Sequence, residues 1–272
     1  MRFMRSILLA IQFLTILPVR VGGDISDRDI ARCSSAFPVA GALQGLILFA
    51  AAAGLSMTFP ADIVSAFIIT ISVLLNGGFH LDGLADTFDA FAVKSTGDGA
   101  LDRERRLSIM KDSTTGAIGV VAIVTIILMK FVLTKNIISF QSHLSALMVI
   151  SLTPVFSKWI MAPAMHHGVP ARKDGLGKIV IGPGTPNMLI SSSILTLTIF
   201  GATIVLHAVR HVGLYGWLIL CLFPAGYMLS LAAVWLFKRR LGGLTGDTLG
   251  ALSEIGEILY LTGGYIWLQR YI

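Results

Sequence analysis

The sequence predicts an all-α fold, a polytopic helical bundle integral to a membrane with about seven transmembrane helices and an N-terminal interfacial helix. Hydrophobic residues make up 55% of the 272 residues and charged residues only 13%, and the mean hydropathy is +0.81. Ordinary soluble domains carry about 25% charged residues. Apolar runs of membrane-spanning length recur along the chain, so residues 1–272 are predicted to form one transmembrane catalytic domain.

The N-terminal segment, residues 1–33, is predicted to lie on the membrane and not to cross it. Only 14 residues separate Arg5 from Arg20, fewer than the ~20 needed to span the hydrocarbon core. No small-residue cleavage site follows, which argues against a signal peptide. We therefore expect an interfacial helix within Met1–Val19, followed by a surface loop or short helix.

Seven apolar runs are each long enough for one crossing. Their approximate bounds are 35–59, 61–81, 115–134, 142–164, 187–208, 213–237 and 248–269. Sixteen of the 21 lysine and arginine residues fall on one side of this topology, in residues 1–33, 82–114, 165–186 and 238–247. The positive-inside rule places these segments in the cytoplasm. Because the net charge of +6 is divided among short loops, we interpret it as a topology signal and expect no nucleic-acid partner.

Three aspartates follow the second apolar run. On a helix, Asp82, Asp86 and Asp89 fall at about 0°, 40° and 340°, so they share one face. Aligned carboxylates repel each other, and a hard divalent cation with oxygen ligands, Mg²⁺ or as a substitute Mn²⁺, would offset that repulsion. The trio is therefore predicted to bind metal, with His80 as a hydrogen-bonding helper. A solvated helix end is the alternative.

A second group of polar residues precedes the third apolar run. Ser113, Thr114 or Thr115 can cap the helix that follows, which leaves free N–H groups and a positive dipole end where a phosphate could rest. Lys111 stands beside this end. An ordinary helix cap with topology-setting bases is the alternative.

A third acidic group opens and enters the last apolar run. Asp247, Glu254 and Glu257 have spacings of i, i+7 and i+10, which again fall on one helical face. Carboxylates inside a membrane cost at least ~2.5 kcal/mol each unless they are paired, hydrated or metal-bound. We expect a polar pocket, with a buried ion pair to Lys158 as the alternative. The basic loop 165–186 could be a flexible lid over an anionic substrate, or only a topology signal.

The motifs GGFHLDGLADTFDA (77–90), IMKDSTTGAIG (109–119), DGLGK (174–178) and LGGLTGDTLGALSEIGE (241–257) together resemble those of the adenosylcobinamide-GDP ribazoletransferase, or cobalamin synthase, family. The resemblance implies a Mg²⁺-dependent transferase of the inner membrane with a cytoplasmic active site. The implied reaction joins adenosylcobinamide-GDP to α-ribazole, or to α-ribazole 5'-phosphate, and releases GMP late in cobalamin biosynthesis. Association with other late cobalamin enzymes is a further expectation.

The resemblance also implies roles for the residues singled out above. Asp82, Asp86 and Asp89 would bind Mg²⁺, with Asp89 favoured as the base, and Lys111 and Arg106 would hold phosphate oxygens. The remaining expected site residues are His80, Asp112, Ser113, Asp247, Glu254 and Glu257. The chain departs from the family pattern at Ile16, where arginine often stands, and at Ala90, where glycine is common.

Two rival functions share part of this pattern. The Asp-Gly-x-x-Ala that begins at Asp82 is similar to the start of the CDP-alcohol phosphotransferase signature, but Asp86 replaces its arginine and the downstream acids of the signature are missing. A cation-coupled transporter would instead use Glu254 and Glu257 within the membrane. The densest acidic cluster lies at the cytoplasmic edge and not at the midplane, which favours the transferase.

Overall fold

The computed structural model describes residues 2–112, 114–141, 143–173, 175–182, 186–207 and 212–271. Within these residues the chain is helical, without a strand and with one isolated parallel bridge between Pro170 and Leu244. The predicted all-α class is confirmed. The helices are α1 (Arg2–Leu14), α2 (Asp27–Cys33), α3 (Phe37–Leu55), α4 (Ala61–Leu75), α5 (Phe79–Ala92), α6 (Gly99–Ile109), α7 (Ala117–Ile138), α8 (His143–Trp159), α9 (Met161–His167), α10 (Leu176–Val180), α11 (Pro186–His207), α12 (Val212–Leu241) and α13 (Gly246–Tyr271).

The described helices fit a polytopic membrane protein, although they do not confirm the predicted count of seven spans. Four stretches are long and apolar enough to cross a membrane, namely Asp27–Leu55, Ala117–Ile138, His143–His167 and Ile219–Leu241. A fifth is reached only if α4 and α5 count as one span. The runs predicted at 187–208 and 248–269 do form helices, α11 and α13.

The predicted second span, 61–81, is not one straight helix. It breaks after Leu75, and α5 leaves α4 at an angle of 85°. Gly77 and Gly78 form the break with φ values of 62° and 73°, a left-handed backbone that glycine adopts without a steric penalty. The break turns the predicted acidic stripe away from the axis of α4. The predicted loop 82–114 likewise contains most of α5 and all of α6.

The N-terminal helix is too short to cross a bilayer by itself, and its predicted place at the membrane interface stays a prediction. Its 13 residues extend about 20 Å, less than the ~30 Å of a bilayer's hydrocarbon core. Leu9, Ala10 and Leu14 are buried against the rest of the molecule, whereas Phe3 and Met4 are exposed. The helix packs on α3, and the Gln44 amide donates to the Leu14 carbonyl at 2.9 Å.

The tightest helix crossing joins α3 to α8. A Cβ atom built on Gly45 would lie 1.9 Å from the Ser151 carbonyl oxygen, and one on Gly41 would lie 2.5 Å from the Pro154 oxygen. These distances show that the two backbones are in direct contact. Glycines spaced by four residues permit such close packing in membranes, where van der Waals contact drives association.

Helix α13 lies at the centre of the bundle. It packs against α5, α7, α8 and α12, and its side chains of Leu252, Tyr260 and Leu268 are almost completely buried. The start of α13 also approaches the loop after α9, because the Leu244 and Ala171 backbones are hydrogen-bonded at 2.8 Å. This arrangement brings polar residues from distant parts of the chain to one end of the bundle.

Candidate active site

The break between α4 and α5 begins the site. Asn76 ends α4, and its side-chain oxygen accepts a hydrogen bond of 2.6 Å from the buried Gln44 amide. Gly78 then starts α5 in a left-handed conformation. The Gly77–Gly78 pair is therefore the structural means of redirecting α5.

The carboxylates of α5 lie between the first turns of two other helices. A Cβ atom on Gly83 would be 2.6 Å from the Asp247 carbonyl oxygen, so the start of α13 is in contact with α5. On the other side, Gly116 and Gly119 at the start of α7 contact the Asp89 carboxylate. Each helix N-terminus carries a partial positive charge, and the two ends surround the acidic stripe.

Asp89 binds the start of α7 directly. One carboxylate oxygen accepts the Gly116 N–H at 2.7 Å, and the other accepts the Gly119 N–H at 2.8 Å. The Asp89 carboxylate thus lies at the helix end where the sequence predicted that a phosphate could rest. The prediction that Thr114 or Thr115 caps α7 was wrong, because the N-cap residue is Gly116, which has no side chain to cap the helix. Ser113, also predicted here, lies outside the described residues.

Negative charge converges on Asp86, which belongs to the segment predicted to lie outside the membrane. Partial burial, reinforced by the charges of Asp82, Asp247 and Asp89, raises the pKa of Asp86 to about 6. Burial is likewise the main reason that the pKa of Asp247 is raised. Arg172 opposes both shifts, with its guanidinium 3.7 Å from the Asp247 carboxylate. The sequence did not single out this arginine within its loop.

The carboxylates of this cluster offer the oxygen donors that a hard divalent cation prefers. Asp82 is exposed, and Asp86 and Asp247 are half-buried, so all three can reach a ligand. After burial, repulsion among these carboxylates is the main cause of the raised pKa of Asp86. A bound cation would relieve this repulsion. Among the residues described, no three acidic, histidine or cysteine side chains already converge as a coordination shell.

A cavity of about 360 Å³ lies beside the carboxylates. Its polar lining residues are Asn76, His80 and Asp247. Apolar side chains from α1, α3, α9 and α13 form much of the rest of the lining. Its lining residues are Phe13, Leu14, Phe37, Asn76, Phe79, His80, Met161, Gly177, Val180, Gly246, Asp247, Leu249 and Gly250. The predicted residues His80 and Asp247 are therefore brought to one cavity.

The two glutamates of α13 are paired with a lysine, but not with the one that the sequence suggested. Lys130 of α7 lies 2.6 Å from the Glu254 carboxylate and 2.7 Å from that of Glu257. Lys158 instead contacts the His80 ring nitrogen Nδ1 at 3.2 Å. The helical face of Glu254 and Glu257 turns towards α7, so these residues form a buried ion cluster and do not line the cavity beside Asp247.

The predicted phosphate-binding bases have separate surroundings. Arg106 is buried and donates to the Arg240 carbonyl oxygen at 3.1 Å, so it joins α6 to the end of α12. Lys111 and Asp112 are exposed, and the Asp112 side chain accepts the Thr114 N–H at 3.1 Å. A role for these residues in binding substrate stays a prediction.

The fold and the site together define an integral membrane protein of the helical-bundle class, with a carboxylate cluster and an adjoining cavity at one end of the bundle. The chain belongs to the cobalamin-5-phosphate synthase family, whose family model matches residues 6–265. It is 35% identical to an adenosylcobinamide-GDP ribazoletransferase of Thermodesulfovibrio yellowstonii, over 96% of this chain and 98% of the relative. Relatives with the same name are 32% identical in Geotalea daltonii, over 95% of this chain and 96% of the relative, and 33% identical in Clostridium tetani, over 95% of each. No solved structure matches the chain significantly.

Proposed function

We propose that this protein is an adenosylcobinamide-GDP ribazoletransferase. It would join adenosylcobinamide-GDP to α-ribazole, or to α-ribazole 5'-phosphate, and release GMP. The single observation that carries this proposal is the near full-length similarity to relatives with that name. The carboxylate cluster and the adjoining cavity supply groups suited to the chemistry of a diphosphate.

In this reaction a ribose hydroxyl attacks the phosphorus on the corrinoid side of the diphosphate. A new P–O bond forms, the P–O bond to GMP breaks, and the hydroxyl proton passes to a base. Asp247 suits the role of base because its carboxylate lines the cavity. Asp89, the base favoured from the sequence, suits a positioning role because both of its oxygens already accept N–H bonds from α7.

We further propose that Asp82 and Asp86 hold Mg²⁺, or Mn²⁺ in its place. Bound there, the cation would neutralise negative charge on the diphosphate oxygens. Arg172 would add a fixed positive charge at the same place, because its guanidinium faces Asp247. Asp89 would hold α5 and α7 in register beneath the site.

The proposed active site faces the cytoplasm of a prokaryotic cell, at the inner membrane. The support is the distribution of basic residues, since the segments that carry the carboxylates lie on the same side of the predicted topology as sixteen of the 21 lysine and arginine residues. Both substrates would reach the cluster from that side. Association with other late cobalamin enzymes stays a prediction.

Substitution of the α5 carboxylates tests the transferase and its metal together. Asp82→Asn and Asp86→Asn should each lower the rate of GMP release at least about 100-fold, because each removes a charged ligand aimed at the transition state. Purified protein in nanodiscs would be assayed with both substrates over a Mg²⁺ titration, and Mn²⁺ binding would be followed separately by electron paramagnetic resonance.

The matched control is Asp62→Asn, an exposed aspartate in the first turn of α4. It should keep the wild-type rate and the wild-type Mn²⁺ affinity. Normal rates in both α5 variants across the Mg²⁺ titration would contradict the metal assignment. Absence of GMP release from the wild-type protein with both substrates would contradict the proposed activity itself.

A further inference from the structure

The lining residues of the cavity beside Asp247 are of two chemical kinds. Phe13, Phe37 and Phe79 are aromatic, and the Phe13 and Phe37 rings are stacked with centroids 6.2 Å apart and planes 13° from parallel. Phe37 is buried, so Phe13 and Phe79 are the rings open to a ligand. Asn76, His80 and Asp247 are polar. A ligand that fits must therefore combine a flat apolar part with a polar part.

Phe79 lines the cavity and is nevertheless 64% exposed. It is the first residue of α5 and follows the left-handed Gly78 directly. The ring packs closely against Gly77, where a Cβ atom would lie 3.1 Å from it. The backbone break thus presents an aromatic face that the protein itself does not cover, next to the carboxylates of α5.

We infer that this cavity binds the acceptor substrate, with the aromatic base of the riboside against Phe13 and Phe79 and its ribose towards Asp247. This inference rests on the proposed function, which supplies a ribazole as the acceptor. The arrangement would place a ribose hydroxyl between the base carboxylate and the diphosphate-binding cluster. Stacking on aromatic side chains is a common way of binding a base without reading its edge.

The corrinoid part of the other substrate does not fit this cavity. At about 360 Å³ the cavity lies near the lower end of the ~300–1,000 Å³ found for small-molecule sites, which suits a riboside and excludes the much larger corrinoid ring.

The first experiment separates the two substrates kinetically. Phe79→Ala should raise the KM for α-ribazole about tenfold, through loss of aromatic stacking, and leave the KM for adenosylcobinamide-GDP within about twofold. Phe67→Ala is the matched control, because Phe67 is an exposed phenylalanine of α4 that does not line the cavity. A rise in the KM for adenosylcobinamide-GDP alone, or in neither KM, would overturn the inference.

A second variant changes the cavity at a residue of α13. Gly246 lines the cavity, and a Cβ atom built on it meets no atom within 4 Å, so Gly246→Leu should fill space that the ligand needs. We expect its affinity for α-ribazole, measured by calorimetry on protein in nanodiscs without the second substrate, to fall about tenfold or more. Unchanged affinity in this variant would also overturn the inference.

Two further outcomes are informative about the source of a failure. Wild-type protein that binds α-ribazole through Phe79 but releases no GMP would contradict the proposed function and support the site. Loss of co-purified phospholipid from Phe79→Ala, with no change in α-ribazole binding, would show that the cavity holds a lipid chain, and the inference would fall while the proposed function stood.

Discussion

Lys130 is the residue on which the interior charge balance depends. It is 5% exposed and faces two carboxylates, Glu254 and Glu257, which are 2% and 4% exposed. Ser157 also donates to Glu257 at 3.2 Å, and Lys158 lies close enough to interact electrostatically with both glutamates. This pairing weakens the transporter hypothesis, because the two glutamates are already occupied by a fixed cation.

Replacing Lys130 should therefore destabilise the protein strongly. Lys130→Met leaves two buried carboxylates without their main partner, and removal of one member of a buried ion pair costs about 3–5 kcal/mol. The measurement is thermal unfolding in detergent, with recovery of monodisperse protein as a second readout. Lys135→Met, an exposed lysine of the same helix, is the control and should unfold like the wild type. Equal stability of the two variants would refute the structural role of Lys130.

Arg172 is the second residue whose importance appears only in three dimensions. Its guanidinium lies 3.7 Å from the Asp247 carboxylate and also approaches the Leu107 carbonyl oxygen at 3.5 Å. The bridge between Pro170 and Leu244 fixes the backbone two residues earlier. Within loop 165–186, which the sequence suggested as a lid, the structure thus places Arg172 beside the carboxylate cluster.

Arg172→Gln should weaken binding of the diphosphate substrate. A hydrogen bond to a charged group contributes about 1.5–3 kcal/mol, so the KM for adenosylcobinamide-GDP should rise about 10-fold or more. Steady-state GMP release with saturating α-ribazole gives this value. The control is Lys173→Gln, because Lys173 is the exposed neighbour of Arg172. This variant should keep the wild-type KM. A larger effect from Lys173 than from Arg172 would contradict the assignment.

At the scale of single residues, helix geometry predicted the stripe of Asp82, Asp86 and Asp89, because it depends only on 100° of turn per residue. Asp247 was predicted as a site residue from its motif. The contacts of Lys130, Arg172 and Asp89 could not be predicted in this way. Each joins helices that are far apart in the chain, so its partner depends on packing and not on spacing.

At the scale of elements, the break between α4 and α5 changes the predicted architecture most. Hydropathy favoured one span over 61–81, since the apolar run continues to Leu81. Gly77 and Gly78 interrupt it because both adopt positive φ. A glycine pair in an apolar run is compatible with a continuous helix or with a turn, and tertiary contacts such as the one between Gln44 and Asn76 favour the turn.

The crossing of α3 and α8 yields a sharp prediction. Gly45→Ala would place a methyl group 1.9 Å from the Ser151 carbonyl oxygen, so the helices must separate and the folded yield and thermal stability should fall. Gly54→Ala lies in the same helix with no atom within 4 Å of its Cβ position. That control should be neutral or slightly stabilising, since alanine favours helix by up to ~1 kcal/mol over glycine. Tolerance of alanine at Gly45 would contradict the observed crossing.

At the scale of the whole molecule, the distribution of basic residues predicts its orientation. In a cell with the native cysteines Cys33 and Cys221 replaced by serine, Met57→Cys should react with a membrane-impermeant maleimide from outside. Met57 is 87% exposed at the end of α3, opposite the basic segments. Lys173→Cys should react only after the membrane is opened. The reverse pattern would place the carboxylate cluster on the outer face and contradict the positive-inside assignment.

The amino-acid sequence was sufficient to predict an all-helical membrane protein of this family and the carboxylates that share a helical face. Hydropathy, charge bias and helical periodicity are local properties, so they can be obtained without knowledge of the fold. The three-dimensional packing was needed to show that Lys130 pairs with the α13 glutamates, that Asp89 caps α7, and that a cavity opens beside Asp247. These features arise where helices distant in the chain pack together, because burial and charge pairing depend on the final arrangement of all of them.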